Sequence, residues 1–158
     1  MKLTDQVKTR GDVEIIKEYS DGRKEVSWVH NTILTLGRRA LARTLANNLD
    51  SQFDFYINAM IWGDGGTVNG VKRYVDTSRN GLFGTTRIQK PVLANIDSSI
   101  PTQVIFTATI PMAEDVGMVL SEMALRMANG DLYSMVTFPN LTIIDGMQIT
   151  FNWYLNFI

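Results

Sequence analysis

The chain has 158 residues, 45% hydrophobic and 20% charged, a composition that fits a single globular domain over residues 1–158 with a core of ordinary size. Its 15 basic and 16 acidic side chains leave a formal charge of −1, so no overall field favours nucleic acid or a membrane surface as a partner. Cysteine is absent, which excludes disulfides, thiolate metal sites and redox-active thiols.

The first third of the chain predicts a β-hairpin followed by a helix. Apolar residues before and after Asp21-Gly22 predict two paired strands within residues 12–30, with the Asp-Gly pair as the turn. The period then becomes helical over about 33–47, and Asn31 or Thr32 is placed to cap that helix. The predicted apolar stripe comprises Ile33, Leu34, Gly37, Leu41 and Leu45, whereas Arg38, Arg39 and Arg43 fall on a solvated face.

A strand and an irregular segment come next. Apolar residues from Phe53 to Trp62 predict a strand with both faces partly covered, which ends at Gly63. Residues 63–84 then hold six of the 12 glycines and predict a long loop. Because loops of this length in compact domains are commonly functional, we interpret this one as the best candidate contact surface. Its candidate interface residues are Lys72, Arg73, Tyr74 and Arg79, since Arg and Tyr are enriched at interface hot spots.

The remaining sequence predicts strands almost throughout. Pro101 and Pro111 bracket one strand, and Asn129-Gly130 carries a type I′ signal for a second hairpin that Pro139 is expected to end. After Asp145-Gly146 a closing strand alternates strictly between apolar and polar residues. Its predicted buried face comprises Met147, Ile149, Phe151, Trp153, Leu155 and Phe157.

These elements together predict the fold class. Sequential antiparallel strands joined by short turns indicate a mainly β protein, an antiparallel β-sandwich. One α-helix in the N-terminal half is expected to pack on or beside the sandwich, and the long glycine-rich loop is its main irregular feature.

No residue pattern predicts an enzyme. His30 is the only histidine, lies where the hairpin meets the helix, and is expected to make a structural hydrogen bond to the helix start or to lie on the surface. Asp64 in its glycine-rich turn lacks the ligand spacing of a calcium loop. Glu114-Asp115 and Glu122 are expected to face solvent or to lie in turns. We therefore expect no catalytic residues, no cofactor and no metal.

The sequence also predicts neither a signal peptide nor a membrane span. The first residues are charged where a signal peptide needs an apolar stretch, and no run approaches the roughly 20 apolar residues of a membrane span. The expectation is a soluble protein, made and used in a cytoplasm, with neither nucleic acid nor membrane as a partner.

The order of motifs resembles a known family. The hairpin turn at Asp21-Gly22 precedes residues 31–42, Asn-Thr-Ile-Leu and later Gly-Arg-Arg-Ala-Leu-Ala, and then residues 60–66, Met-Ile-Trp-Gly-Asp-Gly-Gly. Later come Leu-Ser-Glu-Met-Ala-Leu at 120–125 and Asn-Gly-Asp-Leu at 129–132. The sequence is similar to the small virion proteins of tailed bacteriophages, in particular tail-fibre and tail-collar modules and their adaptor relatives.

This resemblance implies a structural subunit rather than a catalyst. It implies a symmetric homo-oligomer that contacts copies of itself and other virion proteins, assembled in the host cytoplasm and located in the virion. The short chain lacks a repetitive stalk, so an adaptor, collar or fibre-base subunit is favoured over a receptor-binding fibre.

Two alternatives stay open. One is a capsid decoration subunit. The other is a carbohydrate-binding β-sandwich module in which Trp62 and Tyr74 stack on a sugar ring, with Trp28 and Trp153 in the core.

Overall fold

The computed structural model describes residues 8–49 and 55–158, which form one α-helix and twelve strands. In chain order they are β1 (Thr9–Tyr19), β2 (Lys24–His30), β3 (Thr32–Ile33), α1 (Thr35–Leu45), β4 (Ile57–Gly63), β5 (Thr67–Val68), β6 (Val71–Lys72), β7 (Thr86–Pro91), β8 (Leu93–Asn95), β9 (Gln103–Ile110), β10 (Val119–Met127), β11 (Leu132–Thr142) and β12 (Met147–Phe157). Phe53, predicted at the start of β4, lies outside the described residues.

The strands form two five-stranded antiparallel sheets and one small ribbon. The first sheet has the order β2-β1-β12-β9-β8, the second the order β3-β11-β10-β4-β7, and β5 pairs only with β6. The closing strand β12 is central, because it pairs with β1 over its full length and with β9 on its other side. The predicted mainly β fold with antiparallel sheets packed face to face is therefore confirmed.

The main core lies between the two sheets. Five apolar residues of β12 are buried and point inward, as their two-residue period predicts: Met147, Ile149, Phe151, Trp153 and Leu155. They belong to one cluster with inward residues of the second sheet, including Met60, Trp62, Met123, Leu125, Val136 and Phe138. Phe157, the last apolar position of the strand, is only partly buried.

The first hairpin turns where predicted, but its tryptophan is not in the core. Gly22 has a φ of +89°, and Tyr19 and Arg23 close the turn with a 2.9 Å hydrogen bond from N–H to C=O. Val29 lies opposite the buried Val13, so the alternation of β2 sends Trp28 to the outer face, where its side chain is 53% exposed. The expectation that Trp28 is a core residue is wrong.

The helix starts later than predicted and has no side-chain cap among the described residues. Ile33 is paired with Ser134 in β3, so the helix cannot begin there, and its N-cap is Leu34 rather than Asn31 or Thr32. A backbone carbonyl replaces the side-chain cap. The N–H of Thr35, the first residue of the helix, donates a hydrogen bond to the Thr77 C=O at 2.8 Å. Leu45 is 81% exposed, so the predicted apolar stripe does not continue to the end of the helix.

Pro139 does not end the pairing of β11. The strand continues to Thr142, because its register with β10 shifts by two residues between Thr137 and Leu141. A proline lacks an N–H, and a bulge is a place within a sheet where that donor is not needed. The predicted strand end is therefore wrong, and Pro139 lies in a bulge instead.

The second hairpin also turns where predicted, at Asn129-Gly130, but with a different turn type. Gly130 has a φ of +93°, whereas Asn129 is not in the left-handed region, and a type I′ turn needs both residues there. The N–H of Gly130 donates to the Met127 C=O at 2.9 Å, and the N–H of Met127 donates to the Asp131 C=O at 2.8 Å. This is a type I turn followed by a glycine bulge.

Candidate interaction surface

The predicted loop 63–84 is a structured cover on the outer face of the second sheet. Val75 and the partly buried Leu82 and Phe83 pack on outward-facing residues of that sheet. The residues beneath them are Ile61, Ala124, Leu132 and Met135, joined by Leu34 before the helix. This second apolar cluster makes the segment a third layer of the protein.

Strands β5 and β6 form a small hairpin within this segment. Asn69 and Gly70, with φ values of +51° and +76°, are both left-handed, and Val68 pairs with Val71 across them. Two left-handed residues in a two-residue turn are the geometry of a type I′ turn. The Asn-Gly pair at 69–70, flanked by two valines, is the sequence signal for this hairpin, and the prediction of an irregular loop overlooked it.

Glu122 of β10 forms hydrogen bonds with the backbone near both ends of the segment. Its side chain is fully buried, and its Oε1 accepts hydrogen bonds from the N–H groups of Gly65 at 2.9 Å and Gly84 at 2.8 Å. Its Oε2 accepts one from the N–H of Phe83 at 2.7 Å. Three backbone donors thus satisfy a buried carboxyl group that would otherwise be costly. The expectation that Glu122 faces solvent or lies in a turn is wrong.

Two glycines let the backbone of this segment lie directly on its neighbours. A Cβ on Gly65 would lie 2.2 Å from the backbone nitrogen of Gly84, and one on Gly66 would lie 1.9 Å from the Ser121 C=O. Both contacts are with backbone atoms, which cannot move aside cheaply. The N–H of Gly66 also donates to the Ser121 Oγ at 2.8 Å. These glycines therefore allow close packing rather than flexibility.

Arg79 is a structural residue of the segment. Its guanidinium donates to the C=O groups of Gly81 and Leu82 at about 3 Å and lies 3.8 Å from the ring centroid of Phe83. The guanidinium of Arg73 lies 4.9 Å from the same centroid. Of the four candidate interface residues, Arg79 is thus occupied by contacts inside the segment.

The other three candidates, Lys72, Arg73 and Tyr74, lie together at the surface. They line a depression of about 330 Å³ together with His30 and Thr137. The backbone here is fixed, because Arg73 accepts a 2.7 Å hydrogen bond at its C=O from Thr137 and donates one from its N–H to Gly66 at 2.8 Å.

Two apolar side chains are exposed on the hairpin β5–β6, and a third, Tyr74, is exposed two residues beyond it. Tyr74 is 82% exposed, Val71 is 69% exposed, and Val68 is also exposed. We call Val68, Val71 and Tyr74, together with the cationic neighbour Lys72, the hairpin surface.

Trp62 cannot form the sugar platform that its sequence position suggested. It is fully buried, and its ring centroid lies 5.0 Å from that of Phe151 in the main core. Trp153 is buried as expected. The proposed pairing of Trp62 with Tyr74 is therefore wrong, because only Tyr74 is at the surface.

His30 pairs with a neighbouring strand rather than with the helix start. It lies opposite Asp12 in the register of β1 and β2, and its Nδ1 is hydrogen-bonded to an oxygen of that carboxylate. The second oxygen of Asp12 lies 3.4 Å from Nε of Arg10. Asp64 and Glu114 are likewise held in ion pairs, with Arg87 and Lys90.

Among residues 8–49 and 55–158, no group of three or more His, Cys, Asp or Glu side chains is arranged to hold a metal ion. None of the helical segments described is long and apolar enough to cross a membrane. Comparison with protein-family models, with curated proteins and with solved structures finds no match to this chain.

Proposed function

We propose that this chain is a non-enzymatic structural subunit of a tailed-phage virion, of the adaptor, collar or fibre-base type. Its sequence resemblance to small virion proteins suggests the class of particle. In this proposal it assembles through protein–protein contacts with copies of itself and with other virion proteins.

The observation that carries the proposal is the hairpin surface. Val68 and Val71, which pair across the hairpin, and Tyr74, two residues beyond its second strand, are exposed where the backbone is fixed by the contacts of Gly66, Arg73 and Thr137. A single exposed apolar side chain needs no explanation, but a cluster on a rigid element suits an interface. Because the backbone is already ordered, binding there costs little conformational entropy.

A comparison of two charge-introducing variants tests the proposal. Val71→Asp places a carboxylate on the hairpin surface. We expect it to reduce self-association in sedimentation velocity by about tenfold or more, because an unpaired charge is costly to bury in an interface. Leu93→Asp is the matched control, since Leu93 is 78% exposed on β8 and remote from the hairpin. Equal self-association of the two variants would rule out this surface as the contact.

A further inference from the structure

A basic groove lies beside the hairpin surface. β2 is an edge strand of the first sheet and β3 is an edge strand of the second, and the chain passes from one to the other between His30 and Thr32. Two depressions, of about 430 Å³ and about 330 Å³, meet there, since His30 and Thr32 line both. We call these two depressions together the basic groove.

The charged side chains that line the basic groove are cationic. Arg10 and Arg38 line its larger depression, and Lys72 and Arg73 line the smaller one. Asp12 is the carboxylate beside it, and this residue is already bonded to His30 and Arg10. Arg38, Lys72 and Arg73 form no ion pair with any carboxylate in the part of the chain that the structure describes.

The two edge strands of the groove favour a polypeptide as its occupant, because β2 and β3 each leave one edge unpaired and an extended segment can add to such an edge. The apolar residues of the lining, Ile33, Val75, Met135 and Val136, are buried, so polar and cationic side chains form the exposed surface of the groove. Cations beside an unpaired strand edge suit an extended segment that carries acidic side chains. Nucleic acid is disfavoured, because the chain as a whole has a charge of −1 and Tyr74 is the single aromatic side chain lining the described groove.

We propose that the basic groove binds an acidic, extended segment of a partner protein. This inference rests on the proposed function, since Lys72 and Tyr74 belong to both surfaces, and it adds the chemistry of the partner. The hairpin surface supplies apolar contact, and the groove selects partners that carry carboxylates, because complementary charge contributes mainly specificity and association rate.

A pair of peptides tests the charge requirement. The probe is a fluorescein-labelled octapeptide of alternating Glu and Val, and its control has Gln in place of every Glu. We expect saturable binding of the Glu peptide by fluorescence anisotropy, weakening as salt is raised because exposed ion pairs are screened. Equal binding of the Gln peptide would overturn the proposal, as would tighter binding of a single-stranded oligonucleotide or a sulfated glycan at the same residues.

Two adjacent helix arginines provide a matched pair of variants. Arg38 lines the groove and Arg39 does not, although both are exposed on α1. We expect Arg38→Glu and Lys72→Glu each to weaken Glu-peptide binding by about fivefold or more, and Arg39→Glu to leave it unchanged. An equal loss in all three variants would mean a diffuse charge effect, and it would overturn the assignment to the groove.

The same measurement on the Val71→Asp background separates this inference from the proposed function. Suppose that Val71→Asp abolishes self-association, but the protein does not bind the Glu peptide more tightly than the Gln peptide. The groove proposal alone then fails. If Val71→Asp self-associates normally while the Glu peptide still binds through Arg38 and Lys72, the hairpin surface fails and the groove remains. Thermal unfolding of each variant checks that its fold is unchanged.

Discussion

At the scale of single residues, Glu122 and the backbone groups around it determine the position of the covering segment, residues 63–84, on the second sheet. Its carboxyl group joins Gly65 to Phe83 and Gly84, which are far apart in sequence. Without this acceptor, three N–H groups at the edge of an apolar cluster would lose their partner. One side chain of β10 thereby holds both ends of the third layer.

The substitution Glu122→Gln tests this role with almost no change of shape. A glutamine offers only one oxygen, so the remaining N–H groups face a side-chain NH₂ that cannot accept. We expect a loss of about 1–3 kcal/mol in the free energy of unfolding, and faster amide exchange at Gly65, Phe83 and Gly84. Glu114→Gln, which alters an exposed ion pair, is the control and should change stability far less. Unchanged exchange at all three amides would contradict the role of Glu122.

Asp76 is expected to make the stability of the covering segment depend on pH. Hydrogen bonds from the hydroxyl of Ser78 at 2.6 Å and from its backbone N–H at 2.8 Å lower the pKa of Asp76 below its ordinary 3.8. A lowered pKa in the folded state stabilises the fold above the unfolded value, and that contribution is lost as pH falls through the folded value.

We therefore expect the denaturation midpoint to fall on acidification from about pH 5 to about pH 2.5, and to fall less steeply in Asp76→Asn. Ser78→Ala removes the hydroxyl, the larger of the two causes of the lowered pKa, and should change the slope in the same direction. Parallel profiles for the three proteins would show that Asp76 does not contribute to acid sensitivity.

At the scale of elements, the hairpin β5–β6 depends on its two left-handed residues. Gly70→Ala places a Cβ at a φ of +76°, which we expect to cost about 1 kcal/mol and to loosen the hairpin without unfolding the sandwich. Gly81→Ala is the control, because Gly81 is outside the left-handed region and a Cβ there meets no described atom within 4 Å. Hydrogen exchange of Val71 and Arg73 measures the difference, and equal protection in both variants would refute it.

The sequence predicts the strands well, because a two-residue period and a turn signal are local. The closing strand, the Asp21-Gly22 turn and the strand between Pro101 and Pro111 are all found where predicted. Trp28 was misplaced because the choice of buried face on β2 depends on its register with β1, which its own residues do not specify.

The covering segment was harder to predict, since its contacts are long-range. Glu122 is separated by 57 residues from Gly65 and by 38 from Gly84, and no local pattern links them. The glycines of the segment suggested flexibility, whereas Gly65 and Gly66 are required for close backbone contact. Lys72, Arg73 and Tyr74 are exposed, and their role at an interface stays a prediction. The position of Arg79 depends on Phe83 and could not be deduced.

At the scale of the whole molecule, the fold depends on β12. This strand pairs with β1 and β9 and contributes five buried apolar side chains to the core. Truncation after Gln148 would remove Ile149, Phe151, Trp153 and Leu155, each contributing about 1.5–3 kcal/mol of burial. It would also leave β1 and β9 each unpaired along one edge. We expect the truncated chain to be insoluble or without a cooperative thermal transition. Soluble, cooperatively unfolding protein would show instead that this segment is dispensable.

Self-association is the central claim at this scale, and the molar mass of the purified protein by light scattering across a concentration series tests it most directly. We expect one discrete oligomer that dissociates on dilution, with Val71→Asp shifted to the mass of a single chain. A single-chain mass for the unmodified protein at every concentration would contradict assembly through its own copies.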